Sequence, residues 1–241
     1  MEPAYDLYQK ASSLLDESLD LARKINQRRE KFSKPLPEKA AKAHQEVLKK
    51  IASFVPEHLI SDLLTRETRC TIGDSFAKSA GCTFTGSDGK QHILISLDIA
   101  NFDPSNGNYE CFAKHNKTKL ATPRDLFMNV AAHEYGHLIE GEKLSPIVDY
   151  HLSTLKDYFQ PKKRVSREAG EAYAFWFGDT VTGFESDLET HSRGYEDLKF
   201  DQTIEMYRDL KELERTKGKD ACFNTQSLVE IFGKYPELSK I

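Results

Sequence analysis

The stretch Val130 to Gly141, VAAHEYGHLIEG, constrains this 241-residue chain more than any other. Just upstream, TPRD opens a helix in good order. Thr122 suits the N-cap, Pro123 the first helical position, and Asp125 adds a negative charge to the first turn. The helix is expected to run on through two histidines and to stop near Gly141. Val130, Ala131, Ala132, Tyr135, Gly136, Leu138 and Ile139 around those histidines are uncharged. A solvated surface helix would not have that setting, so the chain must build its fold around this helix.

Residues four apart share one helix face, one turn above the other. His133 and His137 can therefore direct both imidazoles at a single ion. Glu134 is rotated by about 100° from His133, because a helix has 3.6 residues per turn. It can reach a water on the open side of such an ion. The HExxH spacing thus supplies two ligands and a base within five residues.

The rest of the chain divides by texture. Residues 1–68 read as a helical region. Leu7, Ala11, Leu14, Leu15, Leu19, Ala22 and Ile25 recur at three- and four-residue steps, and KPLPEK interrupts them. A second helix follows through Ala40, Ala43, Val47, Ile51 and Phe54, and EHLISDLLTR after Pro56 reads as a third. Near Cys70 the composition turns to glycine, threonine and β-branched residues. CTFTG and KQHILISL flank SDG as a hairpin, and NYECFAKH suggests a further strand. Residues 70–118 are therefore expected to form a small, mainly antiparallel sheet. Beyond the histidines, SPIVDYHLSTLKDYF, SREAGEAYAFWFGDTV, DQTIEMYRDLKELERT and TQSLVEIFGKY all read as helices. The fold class is α+β, with residues 69–241 as the domain that holds the motif.

Composition narrows the partners. Charged residues are 30% of the chain, but the net charge is only -4, so no global basic field favours nucleic acid. No apolar run is long enough to span a bilayer, and the amino terminus is acidic and amphipathic rather than signal-like. Cytoplasmic residence follows as the expectation, with signal-free export leaving no mark to read. The four cysteines, Cys70, Cys82, Cys111 and Cys222, form no CxxC pair and are expected as buried free thiols. PKKRV reads as a solvated basic loop. The aromatics of YAFWF read as core.

The uncharged HExxH helix following a small sheet resembles the zincin metallopeptidases. The resemblance is close over about a dozen residues and looser, in the order of parts, over residues 70–185. The metzincin extension fails, with Glu140 at its glycine and Lys143 at its last histidine. The likeness is to the gluzincin branch, whose third zinc ligand is a glutamate on a later helix. That implies Glu171 or Glu168, which stand 34 and 31 residues after His137, with His151 and Asp179 as further candidates. Glu171 sits among Tyr173, Phe175, Trp176 and Phe177, where a carboxylate needs a partner. If Ser166 caps the helix, Glu168 falls in the first turn and serves the helix dipole.

The same resemblance implies one zinc per chain and Glu134 as general base. It also implies a second electrophile from the C-terminal lobe, with His191, Arg193 and Tyr195 offered by THSRGYED and Tyr158 and Tyr173 as alternatives. A substrate backbone would add to a sheet edge, from HILISLDI or YECFAKH. The expected activity is zinc-dependent hydrolysis of peptide bonds in a selected protein substrate. The alternative is a zincin scaffold that recognises or regulates without cleaving. The 1–68 region would then act as a partner surface, where in an enzyme it would be a lid, prodomain or exosite. Oligomeric state is not legible.

Overall fold

The computed structural model describes residues 24–60, 69–73, 80–86, 90–102, 122–143, 163–184, 186, 188 and 200–235. A helix over 24–32 (α1) leads into a two-residue strand, β1 (Lys34–Pro35), and then α2 (Glu38–Phe54). Pro37 stands at the N-cap of α2 and Glu38 meets the dipole in its first turn. Ala40, Ala43, Val47 and Ile51 are buried at steps of three and four, as the periodicity predicts. Pro56 follows the C-cap Val55, which ends the helix.

Strands β2 (Arg69–Gly73), β3 (Gly81–Thr85) and β4 (Gln91–Ser96) join β1 in a four-stranded sheet of order β1-β2-β4-β3. The β3–β4 hairpin is as expected, with Thr85 opposite Gln91 and Gly86 N–H donating to Lys90 C=O at 2.8 Å. The sheet is mixed, with two of its three pairings among the described residues antiparallel and one parallel. β2 pairs with β4 in parallel, while β1–β2 and β3–β4 are antiparallel. The chain makes β3 before β4 and so returns past β2 in the same direction, a crossover that hydrophobic alternation cannot reveal. HILIS lies in β4, one of the two interior strands. Among the described residues the edge on this side belongs to β3, and YECFAKH lies outside them.

α3 (Leu97–Ala100) is a single turn, and α4 (Pro123–Lys143) carries the histidines. The expected start is present: Asp125 N–H donates to Thr122 Oγ1 at 3.1 Å, and Thr122 N–H returns to Asp125 Oδ2 at 3.1 Å. This reciprocal cap satisfies two otherwise orphaned donors. α5 (Lys163–Thr182) begins earlier than Ser166, so Ser166 lies inside the helix and is not its cap. It ends at Gly183, whose φ of 72° closes a bond from its N–H to Asp179 C=O. α6 (Phe200–Lys217), a 3-10 turn (Lys219–Phe223) and α7 (Thr225–Phe232) complete the helical C-terminal part. SPIVDYHLSTLKDYF lies outside the described residues.

α4 occupies the centre, against β3 and β4 on one side, α5 on another and α2 on a third. Tyr135 is about 200° round the helix from His133. Its hydroxyl lies 3.0 Å from His44 Nε2 on α2, so α2 covers the face opposite the histidines. One core runs from Ala40 and Val47 of α2 through Ile93 and Ile95 of β4 to Phe127, Trp176 and Phe177. It thus draws on residues from both sides of position 68. Each large apolar side chain so buried contributes about 1.5–3 kcal/mol relative to exposure. That burial packs α4 into the core. Among the described residues no helix is long and apolar enough to cross a membrane. Cys70, Cys82 and Cys222 are free thiols, but only Cys222 is buried as expected, with Cys70 and Cys82 partly exposed; burial raises the Cys70 and Cys222 thiols to about 12.

Candidate metal centre

The site is set by how closely α4 and α5 approach. They run antiparallel, with Gly178 of α5 beside Asn129 and His133, Ala174 beside Gly136, and Gly170 beside Glu140. A Cβ on Gly136 would lie 2.8 Å from Ala174 Cα, and one on Gly178 would lie 3.1 Å from His133 N. Small residues at 170, 174 and 178 recur once per turn and make a stripe on α5 into which α4 settles. Glu171, next to that stripe, is thereby carried to the histidines.

Three donor atoms converge. His133 Nε2 and His137 Nε2 are 3.2 Å apart, and Glu171 Oε2 is 3.5 Å from the first and 3.9 Å from the second. The side chains of His133 and Glu171 are only 12% and 14% exposed, so bulk water screens them little. Two imidazole nitrogens and one carboxylate oxygen at these spacings can hold a metal ion. A tetrahedral ion with bonds of about 2.0–2.1 Å sets its ligand atoms about 3.3–3.4 Å apart, and the triangle brackets that value. The donor set therefore fits.

The electrostatics favour a cation. Burial alone would depress the basicity of His137. It is outweighed by the carboxylate of Glu140 beside the ring and by the charges of Glu171 and Glu134, which together raise His137 to about 9. Phe175, one turn after Glu171, sets its ring edge-on to His133 with centroids 4.6 Å apart. It forms an apolar wall with Leu188, Phe200 and Ile204.

Glu134 is turned toward the sheet. Thr83 Oγ1 on β3 donates to Glu134 Oε2 at 2.7 Å, and Gly81 leaves the room in which that carboxylate sits. A Cβ at Gly81 would come within 2.7 Å of Glu134 Oε1. Neither Gly81 nor Thr83 is apparent from the motif. The alternation of GCTFT, which sends Gly81, Thr83 and Thr85 to one face, is the signal that could have found them.

Of the expected ligands, His133, His137 and Glu171 come together, and Glu168 does not join them. Glu168 is buried, 1% exposed, one turn earlier on α5. Asp179 is no ligand candidate either. It accepts hydrogen bonds from Asn129 Nδ2, Ser186 N and Oγ, and Tyr207 OH at 2.7–2.9 Å, and so ties α4, α5 and α6 together. Burial raises its carboxyl against the pull of those donors. Tyr173 is buried, with its hydroxyl donating to Cys222 C=O, which removes it from the site. His151, Tyr158, His191, Arg193 and Tyr195 lie outside the described residues.

In comparisons with protein-family models, curated proteins and solved structures, none matches this chain.

Proposed function

We propose that the chain is a zinc-dependent peptidase of zincin type, acting on peptide bonds of a protein substrate. The observation that carries the reading is the triangle of His133 Nε2, His137 Nε2 and Glu171 Oε2, with Glu134 on the adjoining helix face. Nitrogen and carboxylate donors in a set of three suit zinc and leave a fourth position for solvent or substrate. When bound there, zinc supplies an acidified water and a polarised carbonyl.

The chain's own residues do the remaining work. Glu134 takes the proton of the attacking water and delivers it to the leaving amine. Thr83 fixes the carboxylate of Glu134 through its 2.7 Å hydrogen bond, so the base meets the water in one orientation. Phe175 keeps one side of the donor triangle apolar and strengthens the charges inside it. Among the described residues β3, beside Glu134, presents an edge to which an extended substrate can add its backbone.

A second reading rests on one observation. Glu134 is 4% exposed and hydrogen-bonded to the sheet, which also suits a purely structural tie in a metal-holding recognition module. Two measurements test the pair. Elemental analysis should find about one zinc per chain, lost in His137→Ala. Cleavage of a degenerate peptide library should vanish in Glu134→Gln with zinc retained. Zinc without cleavage in the wild type would favour the recognition module, and no zinc would remove both readings.

A further inference from the structure

We infer that Glu140 is the positioning residue of the proposed zinc site: its carboxylate faces Nδ1 of His137, favours the proton on that nitrogen, and so leaves the Nε2 lone pair toward His133 and Glu171. The inference rests on the metal reading above and adds to it a residue that the HExxH motif does not contain. His137 Nδ1 lies 3.7 Å from Glu140 Oε2, while its Nε2 lies 3.2 Å from His133 Nε2. The two ring nitrogens thus face different partners, a carboxylate on one side and the donor triangle on the other. A neutral imidazole has one N–H and one lone pair, and the partner of the N–H decides which nitrogen is left to bind a metal.

The fold seats Glu140 for this task. Its side chain is only 16% exposed, unlike a solvated helix-surface glutamate. It lies over Gly170 of α5, where a Cβ would come within 3.0 Å of Oε2 and 3.1 Å of Cδ. Consecutive residues of α5 therefore serve the two sides of one histidine. Gly170 makes room for the carboxylate at Nδ1, and Glu171 brings the carboxylate near Nε2. On α4 the geometry is local, because Glu140 follows His137 by three residues and shares its face.

The test is zinc affinity at one fixed pH, measured by competition with a chromophoric chelator, for wild type, Glu140→Ala, Glu140→Gln and His137→Ala. Glu140→Ala should bind zinc about 10–100-fold more weakly. Glu140→Gln keeps the shape and an acceptor oxygen. It should stay within about threefold of wild type, the loss coming from the weaker neutral acceptor. Long-range ¹H–¹⁵N spectra of the zinc-bound wild type should show His137 protonated at Nδ1. Wild-type affinity in Glu140→Ala would overturn the inference, as would equal losses in the Ala and Gln variants, which would mean that charge alone matters. Wild-type affinity in His137→Ala would instead remove the underlying metal reading, so the two failures are distinct.

Discussion

Thr83 Oγ1 and Glu134 Oε2 stand 2.7 Å apart, a hydrogen bond from strand β3 to the carboxylate between the two histidines. The Glu134 side chain is nearly buried, so the bond cannot be replaced cheaply by water. Thr83→Val should cost about 1–3 kcal/mol in urea unfolding, the usual range for stranding a buried acceptor. If the chain is a peptidase, turnover should fall with little change in KM, and Thr83→Ser should restore most of both.

Gly136 gives a sign test of the packing. In an open helix, Gly→Ala stabilises by about 1 kcal/mol. Here the new methyl would meet Ala174 Cα at 2.8 Å, and backbone has no rotamer with which to yield. Overpacking of this kind costs about 1–3 kcal/mol, so Gly136→Ala should lower stability despite its better propensity. Zinc binding should weaken as well, because α5 carries Glu171 away from the histidines. Urea curves and metal content of the same sample check both.

Glu171 and Glu168 are one turn apart and both shielded from solvent, yet their fates should differ. Glu171→Gln should weaken zinc binding beyond the roughly 10–100-fold typical of an outer partner. Glu168→Gln should leave zinc near one per chain. Elemental analysis after dialysis separates them, and the reverse pattern would reassign the third ligand.

His44 sets an acid limit on stability. Burial lowers it from an ordinary 6.5 to about 4, so it is neutral in the fold. Between those values the unfolded chain binds the extra proton, so stability falls as pH drops from 6.5 toward 4. Above 6.5 the group contributes no slope. His44→Gln should flatten that limb by about 2–3 kcal/mol at most, as read from urea unfolding of chelator-treated protein over that window.

A chelator should lower the melting temperature without unfolding the protein at room temperature. The core around Phe127, Trp176 and Phe177 is built of apolar side chains that are not donors to the site, and a bound ion adds stability by mass action. His137→Ala should melt alike with and without chelator.

What the sequence disclosed follows the range of each interaction. The Thr122–Asp125 cap, the pairing of His133 with His137 and the buried face of α2 are set within one or two helical turns, and all were legible. Glu171 was legible as a candidate from its apolar neighbours, but choosing it over Glu168 needed the register of α5 on α4. That register depends on Gly136, Gly170, Ala174 and Gly178, which look like ordinary small residues until two helices meet. The parallel β2–β4 pairing and the entry of Lys34–Pro35 into the sheet escaped for a similar reason. Partners across a sheet are chosen by the whole layer, and KPLPEK carries only the mark of a break.

α2 lies behind the helix that bears both histidines, with Ala40, Ala43 and Val47 in the common core and His44 against Tyr135. Mechanically, this segment is a keel. It stiffens α4 from the rear, and no swing of it can open or close the face that the imidazoles present. Shortening the chain past this helix should therefore strip α4 of its rear packing and lower the stability of the fold.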